Sequence, residues 1–294
     1  MKISLRFFFA ILCLSFVACK SGFKSELGNQ AFGWTKDILN FGPRHPGSLG
    51  NEKTRKWIDQ KVSNMGFTLN QRTFNARTPK GSITMVNLSY LIPGAKHDKK
   101  VLLLAHYDSK YMPEINFLGA NDAASSVALL LTLSTPIQKM SLPFDVQVVF
   151  VDGEEAFVEW RHDDSLYGSR QYVQDMKDRS AIAGVIVVDM IGDKDLSFIR
   201  SRDTDEKFLG YLEQSLNEMN QSEKMETHWS YIMDDHTPFK EQGYPVLHLM
   251  DFTYGGKSSP GAYWHTQYDT MENISPESLT ISGEVILRVL KKIS

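Results

Sequence analysis

From about residue 80 onward, short apolar runs alternate with stretches in which apolar residues recur every three or four positions. Residues 83–91, 101–105, 146–151, 185–189 and 246–250 are the apolar runs, and their near continuity predicts strands covered on both faces. Ile58, Val62 and Met65 stand at i, i+4 and i+7, and Ile286, Val289, Leu290 and Ile293 repeat that rhythm behind Ser275 and Pro276. Proline suits the first helical position, so this segment reads as a helix with a defined start. Residues 121–133 and 206–217 predict two further helices. Strands alternating with helices predict an α/β fold, a three-layer domain with a central mixed, largely parallel sheet flanked by helices. Ligands of such sheets gather at the carboxyl ends of the strands.

The first residues follow another pattern. Lys2 and Arg6 precede an apolar run from Phe7, and Val17, Ala18 and Cys19 form a small-residue exit, which reads as a signal peptide over 1–18. The apolar run is about a dozen residues, short of the roughly 20 of a spanning helix. Both cysteines, Cys13 and Cys19, lie here, so cleavage before Cys19 leaves one thiol, at a new N-terminus of the kind acylated in bacterial lipoproteins. A polar tether is expected over 19–31 and a single domain over 32–294. These features predict export across a bacterial inner membrane, to the periplasm or to an outer-membrane anchor, with membrane contact only through the N-terminal lipid.

Composition narrows the function. Lys plus Arg number 32 against 35 Asp plus Glu, a net charge of −3 that becomes −5 without Lys2 and Arg6. No large basic footprint is present, and nucleic acid is not an expected partner. A body without cysteine excludes a disulfide framework and thiolate metal sites.

The ends of the apolar runs carry the chemistry. His106, Tyr107 and Asp108 follow one strand, Asp152, Gly153, Glu154 and Glu155 follow another, and Asp189 closes a third. Asp122 opens a helix after the turn at Gly119, and His265 sits in a late loop. Imidazole and carboxylate donors without thiolate suit a catalytic zinc with one position left open. Adjacent glutamates allow one to bind metal while the other moves protons. Asp122 alone could be a helix cap, and Asp108 is placed to support His106. His248, inside a strand, reads as a packed histidine, His236 as a residue near a helix start, and His45, His162 and His228 carry no role.

In order, His106, Asp108, Asp122, Glu154, Glu155, Asp189 and His265 resemble the ligand set of the co-catalytic zinc aminopeptidases. A narrower resemblance, to the animal-type glutaminyl cyclases, is carried by the blocks 43–48, 106–110, 152–157, Trp160, 164–170, 234–239, 245–248 and 264–266. It implies conversion of N-terminal glutamine to pyroglutamate with release of ammonia, in peptides and proteins that begin with Gln. It further implies one zinc held by Asp122, Glu155 and His265, with Glu154 as proton shuttle and Asp189 and Asp234 in support. Trp160 and Trp264 are implied to line the substrate pocket, and a cis peptide to follow Asp122. The chain departs from that family where Ala105 replaces a disulfide cysteine, and in the loop 252–262, which is longer here.

Five carboxyls, Asp122, Glu154, Glu155, Asp189 and Asp234, against one divalent ion leave an excess of negative charge in one pocket. Glu154, Asp189 and Asp234 are therefore expected to share protons. The alternative enzyme is a two-zinc aminopeptidase of the same fold, in which His106 and Asp189 hold a second ion and Glu154 activates a bridging water. A binding module that has lost catalysis is the alternative outside enzymes.

Overall fold

The computed structural model describes residues 26–176 and 178–294. Signal peptide, Cys19 and the first part of the expected tether lie outside them. Residues 26–31, expected to belong to the tether, instead open a helix over 26–39, α1. Leu27, Ala31 and Ile38 are buried in the main core, so apolar residues at i, i+4 and i+11 fix as helix a segment whose local composition is polar.

Six strands form the central sheet: β1 (Asn70–Thr78), β2 (Gly81–Ile92), β3 (Lys100–His106), β4 (Asp145–Val151), β5 (Ile182–Asp189) and β8 (Val246–Met250). Their order is β1-β2-β4-β3-β5-β8. β1 pairs antiparallel to β2 and β2 to β4, whereas β4, β3, β5 and β8 run parallel. The expected mixed, largely parallel sheet is present. A separate pair, β6 (Phe198–Ser201) and β7 (Met225–Ser230), lies outside it.

Alternation along each strand divides the sheet's side chains between two cores, as the period of two requires. Leu103, Ala105, Val148, Phe150, Ile186, Val188, Leu247 and Leu249 face the larger core. There they meet α1, α2 (Leu49–Asn64), α3 (Ser126–Met140), α5 (Glu206–Glu218) and α7 (Pro276–Ile293). Leu102, Leu104, Val149, Val151, Val185, Val187 and Val246 face the other side, under Tyr172 and Val173 of α4 (Tyr167–Asp175) and Phe239 of α6 (His236–Glu241). Each such buried Val, Leu, Ile or Phe side chain contributes roughly 1.5–3 kcal/mol. The parallel register sets Leu104 opposite both Val149 and Val187, and Asp189 opposite Met250, so the carboxyl ends of four strands finish along one rim. No helix of the described residues is long and apolar enough to cross a membrane.

Candidate active site

The rim holds the predicted residues together. His265 Nε2 lies 2.9 Å from Glu155 Oε1 and 3.3 Å from Asp122 Oδ2. His106 Nε2 lies 3.1 Å from Asp122 Oδ1 and 3.4 Å from Asp189 Oδ1. One donor atom from each of Asp122, Glu155 and His265 falls within 4.8 Å of the others, and His106, Asp122 and Asp189 do the same. A cavity of about 400 Å³ opens over them, lined by Glu154, Asp189, Asp234, Trp160, Trp264 and Phe252 among others.

Local sequence explains each placement. Gly119 has φ +59, and a Cβ there would stand 1.9 Å from the carbonyl oxygen of Asp122, so only glycine closes the turn this tightly. The turn over Ala120–Ser125 follows, Asp122 keeps non-helical backbone angles within it, and α3 begins at Ser126. The Asp122-Ala123 peptide is cis. Asp108 Oδ1 and Oδ2 accept the backbone N–H groups of Glu154 and Glu155 at 3.2 and 3.3 Å, and Oδ1 also lies 3.4 Å from His106 Nδ1. The support expected for the imidazole therefore extends to both glutamates. Buried Arg44 donates to the carbonyls of Tyr107, Leu118 and Gly119, tying the end of β3 to the Asp122 turn. Lys110 Nζ donates to Glu155 Oε2 at 3.2 Å.

Electrostatics favour a cation among these donors. Burial alone would lower the pKa of His265, yet Glu155 and Asp122 push it up to about 9. Asp122 is raised by burial, but its bonds to His106 and His265 win and hold it far below the usual carboxylate range. A site whose carboxylates demand positive charge at this point, with two oxygen donors and one nitrogen donor converging, fits zinc.

The other acids divide. Burial raises Glu154 well above the usual range, with Glu155, Asp234 and Asp235 adding to it, and burial takes Asp189 up to about 7. Burial thus makes both readier to take up a proton than an exposed carboxylate. Asp234 is shifted in the opposite direction. Burial favours its neutral form, but His248 Nε2 stands 2.8 Å from Asp234 Oδ2 and the balance lies below the ordinary value. Burial and the neighbouring Asp234 push the Asp235 carboxyl strongly the other way, upward. His248 is packed as expected, stacked at 4.0 Å on His236, and it also partners Asp234. The apolar flanks of its strand conceal that second property in the sequence.

Trp160 and Trp264 both line the cavity. Trp264 stacks on His265 with ring centroids 3.9 Å apart and meets Phe252 edge-on at 5.3 Å. Phe252, Ile232 and Tyr231 also line the pocket; nothing in their local sequence marks them out. His45, His162 and His228 stand outside this lining.

Two carboxylates and an imidazole at the carboxyl rim of a largely parallel sheet, beside a glutamate left free of the donor set, define a zinc-dependent enzyme. The profile of peptidase family M28 matches residues 87–290. Curated relatives include the glutaminyl-peptide cyclotransferase of Boiga irregularis, 31% identical over 83% of this chain and 75% of its own length. That of Bos taurus is 32% identical, over 83% and 76%. Among solved structures, the glutaminyl cyclase of an Acidobacteriales bacterium superposes with a TM-score of 0.85 at 33% identity, covering 90% of this chain and 94% of that one. The chain belongs to peptidase family M28 and, within it, to the glutaminyl-peptide cyclotransferases.

Proposed function

We propose that this chain is a zinc-dependent glutaminyl-peptide cyclotransferase, converting N-terminal glutamine of peptides and proteins to pyroglutamate with release of ammonia. One observation carries the reading: the three donors Asp122, Glu155 and His265 leave Glu154 free beside them, in a cavity walled by Trp160 and Trp264.

An N-terminal glutamine contains both reactants, because its α-amine can attack its own γ-carbonyl carbon and close a five-membered ring. Zinc bound by Asp122, Glu155 and His265 would supply a Lewis acid for the γ-carbonyl oxygen. Glu154 takes the proton from the attacking amine and returns it to the amide nitrogen, which departs as ammonia when its bond to carbon breaks. The carboxyl ends the cycle in the state in which it began. Asp189 and Asp234 face the same cavity and set the field in which Glu154 exchanges its proton. The two indoles hold the side chain folded back on the amine and keep water from the carbon, favouring cyclisation over hydrolysis.

Incubation with a Gln-initiated dipeptide tests this. Ammonia and a pyroglutamyl product are expected; free glutamine and an intact second residue would show the aminopeptidase reaction instead. The N-terminal sequence supports export and lipid attachment at Cys19. Replacing Cys19 by Ser is then expected to move the protein from the membrane to the soluble fraction, and an unchanged membrane association would refute the lipid.

A further inference from the structure

Asp269 stands four residues after His265, and the turn between them is closed by hydrogen bonds. Its own N–H donates to the Thr266 carbonyl at 3.2 Å, and Thr266 Oγ1 donates to the Tyr263 carbonyl at 2.8 Å. The Asp269 side chain is buried and reaches across to the segment that bears the oxygen donor Asp122. Its Oδ1 accepts the N–H of Asn121 at 2.7 Å and its Oδ2 accepts the N–H of Asp122 at 3.2 Å. The Tyr254 hydroxyl donates to Oδ1 at 3.0 Å and fixes the carboxylate from behind. Asn121 is held in turn, its Oδ1 accepting the N–H of Gly192 at 2.8 Å just past the end of β5.

We infer that Asp269 is a positioning residue for the metal centre, a carboxylate clasp that fixes the spacing between the Asp122 and His265 donors and so sets the affinity for zinc. The physical reason lies in its three partners. A carboxyl group has acceptors on both oxygens, and here each takes the backbone N–H of one of two consecutive residues. One of those N–H groups belongs to the ligand residue itself, so the clasp acts on the root of the Asp122 side chain. His265 and Asp269 ride on one short turn, so drift of that turn relative to Asp122 must stretch these bonds. Groups that orient ligands in this way are worth roughly 10- to 100-fold in metal affinity. Asp108 performs the matching task for Glu155. The inference rests on the zinc reading of the site and is independent of the substrate.

The test substitutes Asp269→Asn in the full chain, strips the metal by dialysis against a chelator, and titrates zinc in competition with a chromophoric chelator. An amide presents one acceptor oxygen, so it cannot receive both N–H groups and the tyrosine hydroxyl. Zinc affinity is expected to fall fivefold or more in a variant that remains folded by circular dichroism, with kcat returning towards the parent's as zinc is added in excess. Recovery with metal is what a purely structural role would not produce. A folded variant whose zinc affinity stays within fivefold of the parent's overturns the inference. Should Asp269→Asn not fold, Tyr254→Phe decides, since it removes only one donor from the same carboxylate: a measurable loss of zinc affinity supports the clasp and an unchanged affinity overturns it. The parent is titrated first. If it takes up no zinc, the metal reading fails and this inference with it; if it binds zinc but releases no ammonia, only the cyclisation reading fails.

Discussion

Replacing Glu154 by Gln isolates the proton shuttle. The side chain is 5% exposed and is absent from the donor group Asp122, Glu155 and His265. The amide keeps its size, and the backbone N–H that Asp108 accepts is untouched. What disappears is a carboxyl that burial and its acidic neighbours hold well above the ordinary range. Positioned acid–base groups contribute roughly 10²- to 10⁴-fold in rate, or about 3–5 kcal/mol of barrier. The loss should fall on kcat with KM little changed, because the proton moves only in the transition state. Removing one acid from a crowded cluster should also leave the zinc-loaded protein no less heat-stable than the parent. Ammonia release from a Gln-initiated dipeptide, zinc content by atomic absorption and a thermal melt together read all of this. A zinc-replete variant within tenfold of the parent kcat would refute the shuttle, and a variant that loses its zinc would show Glu154 to be a donor.

Trp264→Ala should lower kcat/KM more than Trp160→Ala, because Trp264 stacks directly on His265 at 3.9 Å; the reverse order would contradict the wall assigned to each. Stability should depend on His236, which burial and neighbouring His248 hold down at about 4 against its ordinary 6.5. Between those values the unfolded chain binds a proton there and the folded chain does not. Stability is therefore lost as pH falls through that window, by up to roughly 3 kcal/mol. Urea unfolding at about pH 7.5 and about pH 4.5 should show a smaller drop for His236→Gln than for the parent, and equal drops would count against it.

The central strands are legible in the sequence because burial on both faces requires unbroken apolar runs, as in Leu102, Leu103 and Leu104 or Val185 to Val188. β1 escapes that reading because Asn70–Thr78 is an edge strand, largely exposed, whose polar residues carry no alternation. The site's donors are legible for a related reason: a charged residue directly after a buried run must emerge at the rim, as His106, Glu154, Glu155 and Asp189 do. Asp269 is not legible, because a buried carboxylate whose partners are backbone N–H groups far along the chain leaves no local mark. The Asp234–His248 pair is hidden because its histidine lies within an otherwise apolar strand. Charge counting anticipates the crowding of acids but cannot see which of them has an imidazole 2.8 Å away.

The most direct test of cyclisation is the fate of a labelled nitrogen. With ¹⁵N placed in the γ-amide of a Gln-initiated peptide, the zinc-loaded enzyme should release the label as ammonia and leave a peptide shortened by no residue and lacking a free α-amine. Label retained in free glutamine, with a new amino terminus at the second residue, would contradict the account.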